Sequence, residues 1–407
     1  MGDFGIVLGR CDMKVTVLGL VVVLLAGSSV VWAEDVVLSA GAPAAAGMDA
    51  TILRAGVHMY EQAVEADRVR NVVLLVARRG KVVLHEALGW KDKEKGTALK
   101  TDAMFRMASN TKPVVATGIS ILVEEGKLAY DDLVREHIGA FDNYRAGGIT
   151  IHHLLTHTSG FRIDPIFFKP LIAKSAAHPE APSLQLEVAR FGEVGATVAV
   201  GTTYKYSNPG YNTLGALVEV GSGQALDAFL KERIYEPLGM VDSYHHEVAE
   251  KLDGKLERMS VVYERDKEGQ WGVRWRPGAE PQYPFVRASG GMISTAMDYA
   301  IFCQMFLNGG VYGGKRILKE ETAAAMTSRQ TASLYTAEER EGRERYYGYG
   351  WNVSRDGTFS HGGSDGTMAW VVPEQRLIVL AFTQSPGKDN GRLGGRFLQL
   401  VQAAIVD

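Results

Sequence analysis

The chain has 407 residues, with 44 Lys plus Arg against 47 Asp plus Glu for a formal charge of −3, and 46% hydrophobic against 22% charged residues. This near-balance of charge excludes a nucleic-acid binder with a basic stripe, and so much apolar material without a glycine triplet period excludes a disordered or collagen-like chain. Two cysteines supply neither a disulfide framework nor a cysteine-based zinc site.

The first element in chain order is an address. Residues 15–25, VTVLGLVVVLL, form an apolar run behind Lys14, followed by small residues Ala26 to Ser29 and then Val31-Trp32-Ala33. That order is the pattern of a secretory leader over residues 1–33 with cleavage near Ala33. The run is shorter than the ~20 residues of a membrane-spanning helix. The expectation is a secreted or periplasmic protein with no membrane tether after cleavage. Residues 1–12 make a poor n-region, so both Met1 and Met13 stand as starts. Cys11 leaves with the leader, and Cys303, in Ile301 to Phe306, then reads as a packed core thiol with no disulfide partner.

Residues 34–47 are rich in Ala, Gly and Pro and read as an irregular lead-in. Asp49 is placed to cap a helix running to about Val69. Two β-branched runs, from Asn71 and from Val82, flank Arg78-Arg79-Gly80-Lys81 and predict a hairpin. A helix follows Ser109 and stops at Gly126; another begins near Pro209, where proline suits the first turn, and runs to about Val220. Residues 161–200 show little periodicity and read as a long excursion lining a cleft. Residues 260–275 predict a second hairpin, and 295–308 a helix. Tyr346 to Val353, Gly366 to Val372 and Leu377 to Thr383 read as closing strands, before a last helix over about 392–406. Strands at both ends of the chain around a helical middle predict an α+β fold. It is an antiparallel sheet flanked by N- and C-terminal helices, built from 34–110 and 285–407, with a mostly helical domain inserted over 111–284.

The chemistry begins at Met107-Ala108-Ser109-Asn110-Thr111-Lys112. Ser109 and Lys112 are three apart and share a helical face. A serine hydroxyl becomes a nucleophile when a nearby base takes its proton, and a lysine amine can be that base if burial leaves it neutral. Pro113 disfavours helical geometry at Lys112, so a distorted or short first turn is expected. Downstream lie Ile151 to Gly160 (IHHLLTHTSG), Tyr206-Ser207-Asn208 and His361-Gly362-Gly363-Ser364.

These motifs in this order resemble the serine β-lactamase-like superfamily, which holds class C β-lactamases, D-alanyl-D-alanine carboxypeptidases, D-aminopeptidases and family VIII carboxylesterases. The likeness extends over roughly residues 45–400 and includes Phe105-Arg106 and Pro237-Leu238-Gly239-Met240. It implies a β-lactamase/transpeptidase-like fold and a serine hydrolase working through an acyl-enzyme, with no organic cofactor and no metal. The resemblance makes Ser109 the acylated nucleophile, Lys112 its proton acceptor, and Tyr206 the group passing a proton to the leaving group, its phenol lowered by nearby cations. It makes Asn208 a partner of Lys112 or of a substrate amide, and the backbone N–H groups of Ser109 and Ser364 an oxyanion hole. His361 and Gly363 belong to the substrate-binding edge. Lysine is usual where His361 stands; a mostly neutral histidine shifts the expectation from β-lactams toward a small-molecule ester, amide or peptide substrate. A β-lactamase, and a non-catalytic penicillin- or peptidoglycan-binding sensor, remain the alternatives. Oligomeric state is not legible.

Other signals weigh less. Gly362 to Gly366 matches the Gly-x-Ser-x-Gly elbow, but a β-branched run follows where a helix is needed, and no histidine lies downstream. His157 with Ser159 lacks an elbow and reads as scaffold. His152-His153 and His245-His246 lack the spacing of a metal site. Gly309 to Lys315 approximates a phosphate loop but carries Arg316 where Ser or Thr is needed, and reads as a turn. Asn352-Val353-Ser354 is a glycosylation sequon.

Overall fold

The computed structural model describes residues 1–2, 35–161, 173–281 and 283–407. Residues 3–34, which hold the rest of the expected leader and the candidate start Met13, and residues 162–172 of the excursion lie outside the described residues. The chain divides into Met1–Ala33 and Glu34–Asp407, and the elements and the site all belong to the second unit. No helix among the described residues is long and apolar enough to cross a membrane.

Helix α1 (Ala50–Glu65) starts where Asp49 accepts hydrogen bonds from the N–H groups of Thr51 and Ile52, which satisfies two donors that a helix start leaves open. The hairpin β1 (Asn71–Arg78) and β2 (Lys81–Asp92) comes next. Helix α2 (Thr111–Glu124) carries Pro113 in its first turn and ends before Gly126. The excursion holds a helix that its sequence does not announce, α3 (Leu184–Val194), capped by Ser183 and burying Leu184, Val188 and Phe191. Helices α4 (Asn208–Ser222) and α5 (Ala296–Leu307) come after it, α5 with Cys303 fully buried. The stretch Tyr346 to Val353 is not one strand. It is a hairpin, β3 (Arg345–Tyr347) and β4 (Asn352–Ser354), turned by Gly350 at φ +86°. Then come β5 (Phe359–Gly362), β6 (Met368–Val372), β7 (Leu377–Phe382) and α6 (Lys388–Ala403).

The strands form one large sheet in the order Ser39–Ala40, β2, β1, β7, β6, β5, β4, β3, with Thr97–Ala98 added beside β2. All its pairs are antiparallel except that of Ser39–Ala40 with β2. The two chain ends meet in the middle, where Leu75 of β1 faces Leu380 of β7. Side chains alternate between faces with period two. Val73, Leu75, Ile378 and Leu380 join a core with α2, α4 and α5 on one side; Val72, Leu74, Leu377 and Val379 join a core with α1 and α6 on the other. With both faces covered, the central strands read as continuous apolar runs. The hairpin Val262–Arg265 with Trp271–Trp275 also forms.

Candidate active site

Ser109 lies in a tight turn, Ala108–Asn110, at the head of α2. Ala108 adopts φ +45°, a conformation disfavoured for a residue with a Cβ. The turn is held from several sides. Thr111 donates its hydroxyl to Ala108 O at 2.7 Å, and Tyr299 donates to Asn110 O at 3.0 Å. Met107 N–H reaches Met292 O at 2.9 Å. The distortion expected of Pro113 is thus taken up by this turn, and Pro113 itself sits where a missing N–H costs little.

Lys112 is fully buried. Its Nζ lies 3.1 Å from Ser109 Oγ, 2.8 Å from Asn208 Oδ1 and 2.8 Å from Ser289 O. Among the described residues no carboxylate pairs with it. Burial, with the Arg287 charge adding to it, holds the amine well below its usual range. A neutral amine has two N–H groups and one lone pair. Asn208 Oδ1 and Ser289 O can only accept, so they take the two N–H groups and leave the lone pair to the Ser109 hydroxyl.

Asn208 is free for this because the cap of α4 is Ser207, whose Oγ accepts from Gly210 N at 3.1 Å. One turn later Asn212 Oδ1 accepts from Ser289 N at 3.0 Å and so fixes the carbonyl that Lys112 uses. Tyr206 places its ring 4.7 Å from Lys112 Nζ and its hydroxyl in a hydrogen bond with Ser109. The residue is 39% exposed, with one open side. The dense surroundings still push the phenol upward, against the smaller effect of the Ser109 bond. The expected lowering by cations is therefore reversed, because burial of the phenol, with Tyr204 adding to it, outweighs any stabilisation of its charged form.

The third motif arrives on β5 and the turn into β6. Gly363 N–H donates to Thr367 O at 2.7 Å. A Cβ on Gly363 would collide with Met107 O and Thr367 Oγ1, so only glycine lets this turn abut the residues preceding Ser109. Asn110 Nδ2 donates to Thr367 Oγ1 at 2.9 Å, and Thr367 Oγ1 donates to Met107 O at 3.0 Å. Gly362 and Ser364 are exposed at the rim. His361 is buried; its Nε2 lies 3.1 Å from Tyr347 Oη and its Nδ1 3.0 Å from Gly362 O. Burial, with Lys112 adding to it, pushes His361 down to about 3, so the ring is neutral. Behind Ser364, Asp365 lies 3.1 Å from Arg106 and 3.3 Å from Arg274.

The structure therefore gathers Ser109, Tyr206 and Asn208 around Lys112 and sets Gly363, which Ser364 follows, against the turn that carries Ser109. Sequence reasoning missed Ser289, whose contribution is a backbone carbonyl, and the Asn110–Thr367 clasp. Asn110, next to Ser109, is the only signal that could have pointed to it. Sequence reasoning also underrated His157, which contacts Tyr206. His152 bonds Tyr349 and His153 caps its own helix, while His245 and His246 bond the carbonyls of Arg287 and Tyr283. The described residues hold one group with metal-ligand geometry, Asp132, Glu136 and His137, in which His137 pairs with Asp132 at 3.0 Å; none of the site residues belongs to it.

Against known proteins, the beta-lactamase family model matches residues 57–403, and the chain belongs to that family of serine hydrolases. A relative from Escherichia coli O157:H7, whose name assigns it provisionally to the D-alanyl-D-alanine carboxypeptidases, is 26% identical over 89% of each chain. The esterase EstB of Burkholderia gladioli is 33% identical over 60% of this chain and 62% of its own. The solved structure of EstCE1, a hydrolase with promiscuous acyltransferase activity, superposes with a TM-score of 0.71 at 20% identity, covering 88% of this chain and 99% of its own. That likeness speaks for the α+β fold.

Proposed function

We propose that this chain is an exported serine hydrolase that cleaves esters or peptides through an acyl-enzyme on Ser109. The observation that carries the proposal is the buried Lys112 amine, hydrogen-bonded to two pure acceptors and to Ser109 Oγ, with no carboxylate among the described residues to hold its proton. In the first step Lys112 Nζ takes the Ser109 proton and Oγ attacks the substrate carbonyl. The backbone N–H groups of Ser109 and Ser364 receive the oxyanion; removing one such donor costs about 3–4 kcal/mol of transition-state stabilisation. Tyr206, kept protonated by its surroundings, is suited to give its proton to the leaving alcohol or amine and to recover the one that Lys112 took from Ser109, which leaves the amine neutral again. Water then attacks the acyl group, with the same amine as base.

Ser109, Gly363 and Ser364 come from the sheet residues (34–110 and 285–407) and Lys112, Tyr206 and Asn208 from the helical residues (111–284), which supports a substrate cleft between the two. The named relatives, a carboxypeptidase and an esterase, support ester and peptide substrates. A neutral His361 in the third motif supports the same reading, since it offers no cation to a β-lactam carboxylate. Export rests on Lys14, the apolar run 15–25 and Val31-Trp32-Ala33, and N-terminal sequencing of protein recovered from culture medium or periplasm should begin after Ala33.

The decisive experiment combines labelling with turnover. A fluorophosphonate should label the wild type at Ser109, p-nitrophenyl acetate should show repeated turnover, and Ser109→Ala should abolish both. Release of a single equivalent that then stops would instead indicate the sensor, and unchanged hydrolysis by Ser109→Ala would reject the nucleophile.

A further inference from the structure

Tyr206 sits on a short stretch outside any helix or strand, and something must hold its phenol over Lys112 and Ser109. Both of its neighbours are tied to a single residue. Lys205 N–H donates to His157 O at 2.8 Å, and Ser207 N–H donates to His157 Nδ1 at 3.0 Å. Between these two ties the Tyr206 ring packs on the imidazole, centroids 4.4 Å apart and planes tilted by 40°. His157 is almost wholly buried and adopts φ +59°, a conformation that His, Asn and Asp tolerate better than most residues.

The Ser207 bond also fixes the tautomer. Nδ1 accepts, so Nε2 carries the hydrogen. That N–H is buried with no hydrogen-bond partner among the described residues; the rings of Tyr204, Tyr206, Tyr211 and Tyr347 surround the imidazole at 4.4–5.9 Å and can receive it as an aromatic contact. Burial, then the neighbouring Lys112 and His361, keep the ring far below its ordinary range and hence neutral.

The geometry points to His157 as the positioning residue for proton delivery by Tyr206: it clamps the chain on both sides of the phenol and stacks on its ring, without touching the reacting atoms. Asn208, the next residue after Ser207, is aligned by the same clamp. The role of His157 rests on the one proposed for Tyr206.

The test is leaving-group dependence. For a series of acetate esters from p-nitrophenol to ethanol, kcat/KM reports acylation. Loss of proton delivery slows esters of basic alcohols, which need the proton, and spares p-nitrophenolate, which does not. Rates are normalised to sites titrated with fluorophosphonate, so unfolded protein is discounted. Tyr206→Phe should steepen the dependence, by ~100-fold for ethyl acetate. His157→Ala should steepen it in the same sense, by about tenfold or more, as expected of a positioning defect in such a donor. His157→Asn, which keeps an acceptor for Ser207 and tolerates the positive φ, should fall between wild type and His157→Ala; His157→Phe, which keeps the ring, should also fall between. A uniform loss across the series in the His157 variants, or none, overturns the inference. Failure of Tyr206→Phe to steepen it overturns the role of Tyr206 itself. If His157→Ala gives no titratable sites, His157→Asn and His157→Phe decide by the same criterion.

Discussion

Two buried basic regions adjoin this site, and they are built on opposite principles. Lys112 is surrounded by neutral acceptors, Asn208 Oδ1, Ser289 O and Ser109 Oγ. Arg106, buried behind Ser364, meets the carboxylates of Asp365 at 3.1 Å and Glu247 at 3.6 Å, and the exposed Arg274 reaches the same Asp365 at 3.3 Å. A buried amine denied a carboxylate gives up its proton more easily than it bears the loss of hydration. A guanidinium cannot do that, so a buried arginine requires the counter-charges that are present. The same interior thus makes a base of one residue and scaffold of the others, and the carboxylates decide which.

The sharpest way to break this contrast is to exchange one kind of cation for the other. Lys112→Arg keeps positive charge capacity but removes the lone pair. It should lower kcat/KM by about 10²–10⁴-fold, the range of a lost general base, with fluorophosphonate labelling slowed in parallel. The reverse operation on the scaffold is Asp365→Asn. Its carboxylate side chain is 2% exposed and that of Arg106 4%, so the substitution strips a buried guanidinium of one of its carboxylate partners. The expected loss is about 3–5 kcal/mol of stability in urea unfolding. A loss below about 1 kcal/mol, the scale of an exposed pair, would show that the arginines do not depend on it.

The contrast itself is not legible in the sequence, although much around it is. Ser109, Lys112, Tyr206 and Asn208 carry distinctive side chains in order, and α1, the β1–β2 hairpin, α4 and α5 follow from caps and periodicity, which are local signals. The features that escape are non-local. Ser289 contributes a carbonyl that every residue owns. The clasp of Thr367 on Asn110 joins positions far apart in the chain. The upward direction of the Tyr206 shift comes from burial of the phenol, which only the folded chain reveals. The hairpin β3–β4 reads as one strand because the apolar and aromatic residues around Gly348-Tyr349-Gly350 outweigh the glycines that mark its turn. Helix α3 is hidden by a flank rich in proline and phenylalanine.

A subtler substitution places a carboxylate where the site excludes one. Asn208→Asp sets a negative charge at the position now 2.8 Å from Nζ. An opposite charge at such range raises a lysine by ~1–3 units. Activity needs the neutral amine, so the acidic limb of the kcat/KM profile should move by that amount to higher pH, and the rate at neutral pH should fall accordingly. An unmoved limb would mean that Lys112 is not the titrating base.

The smallest effect concerns stability. The unfolded chain holds its Lys112 proton up to the ordinary lysine range, whereas the folded chain releases it well below. Between those two values the unfolded state binds one more proton, so folding stability gains from rising pH, by up to about 1.4 kcal/mol per unit from this group. As pH falls through the window the contribution is lost. Lys112→Met removes the titrating amine while keeping a long unbranched side chain. Urea unfolding of both proteins across about pH 7–10, below the ordinary lysine value, should therefore give difference curves with a positive slope for wild type relative to the methionine variant. Parallel curves would show that the amine keeps its proton in the folded protein, and with it would go the distinction between this cation and the arginines behind Ser364.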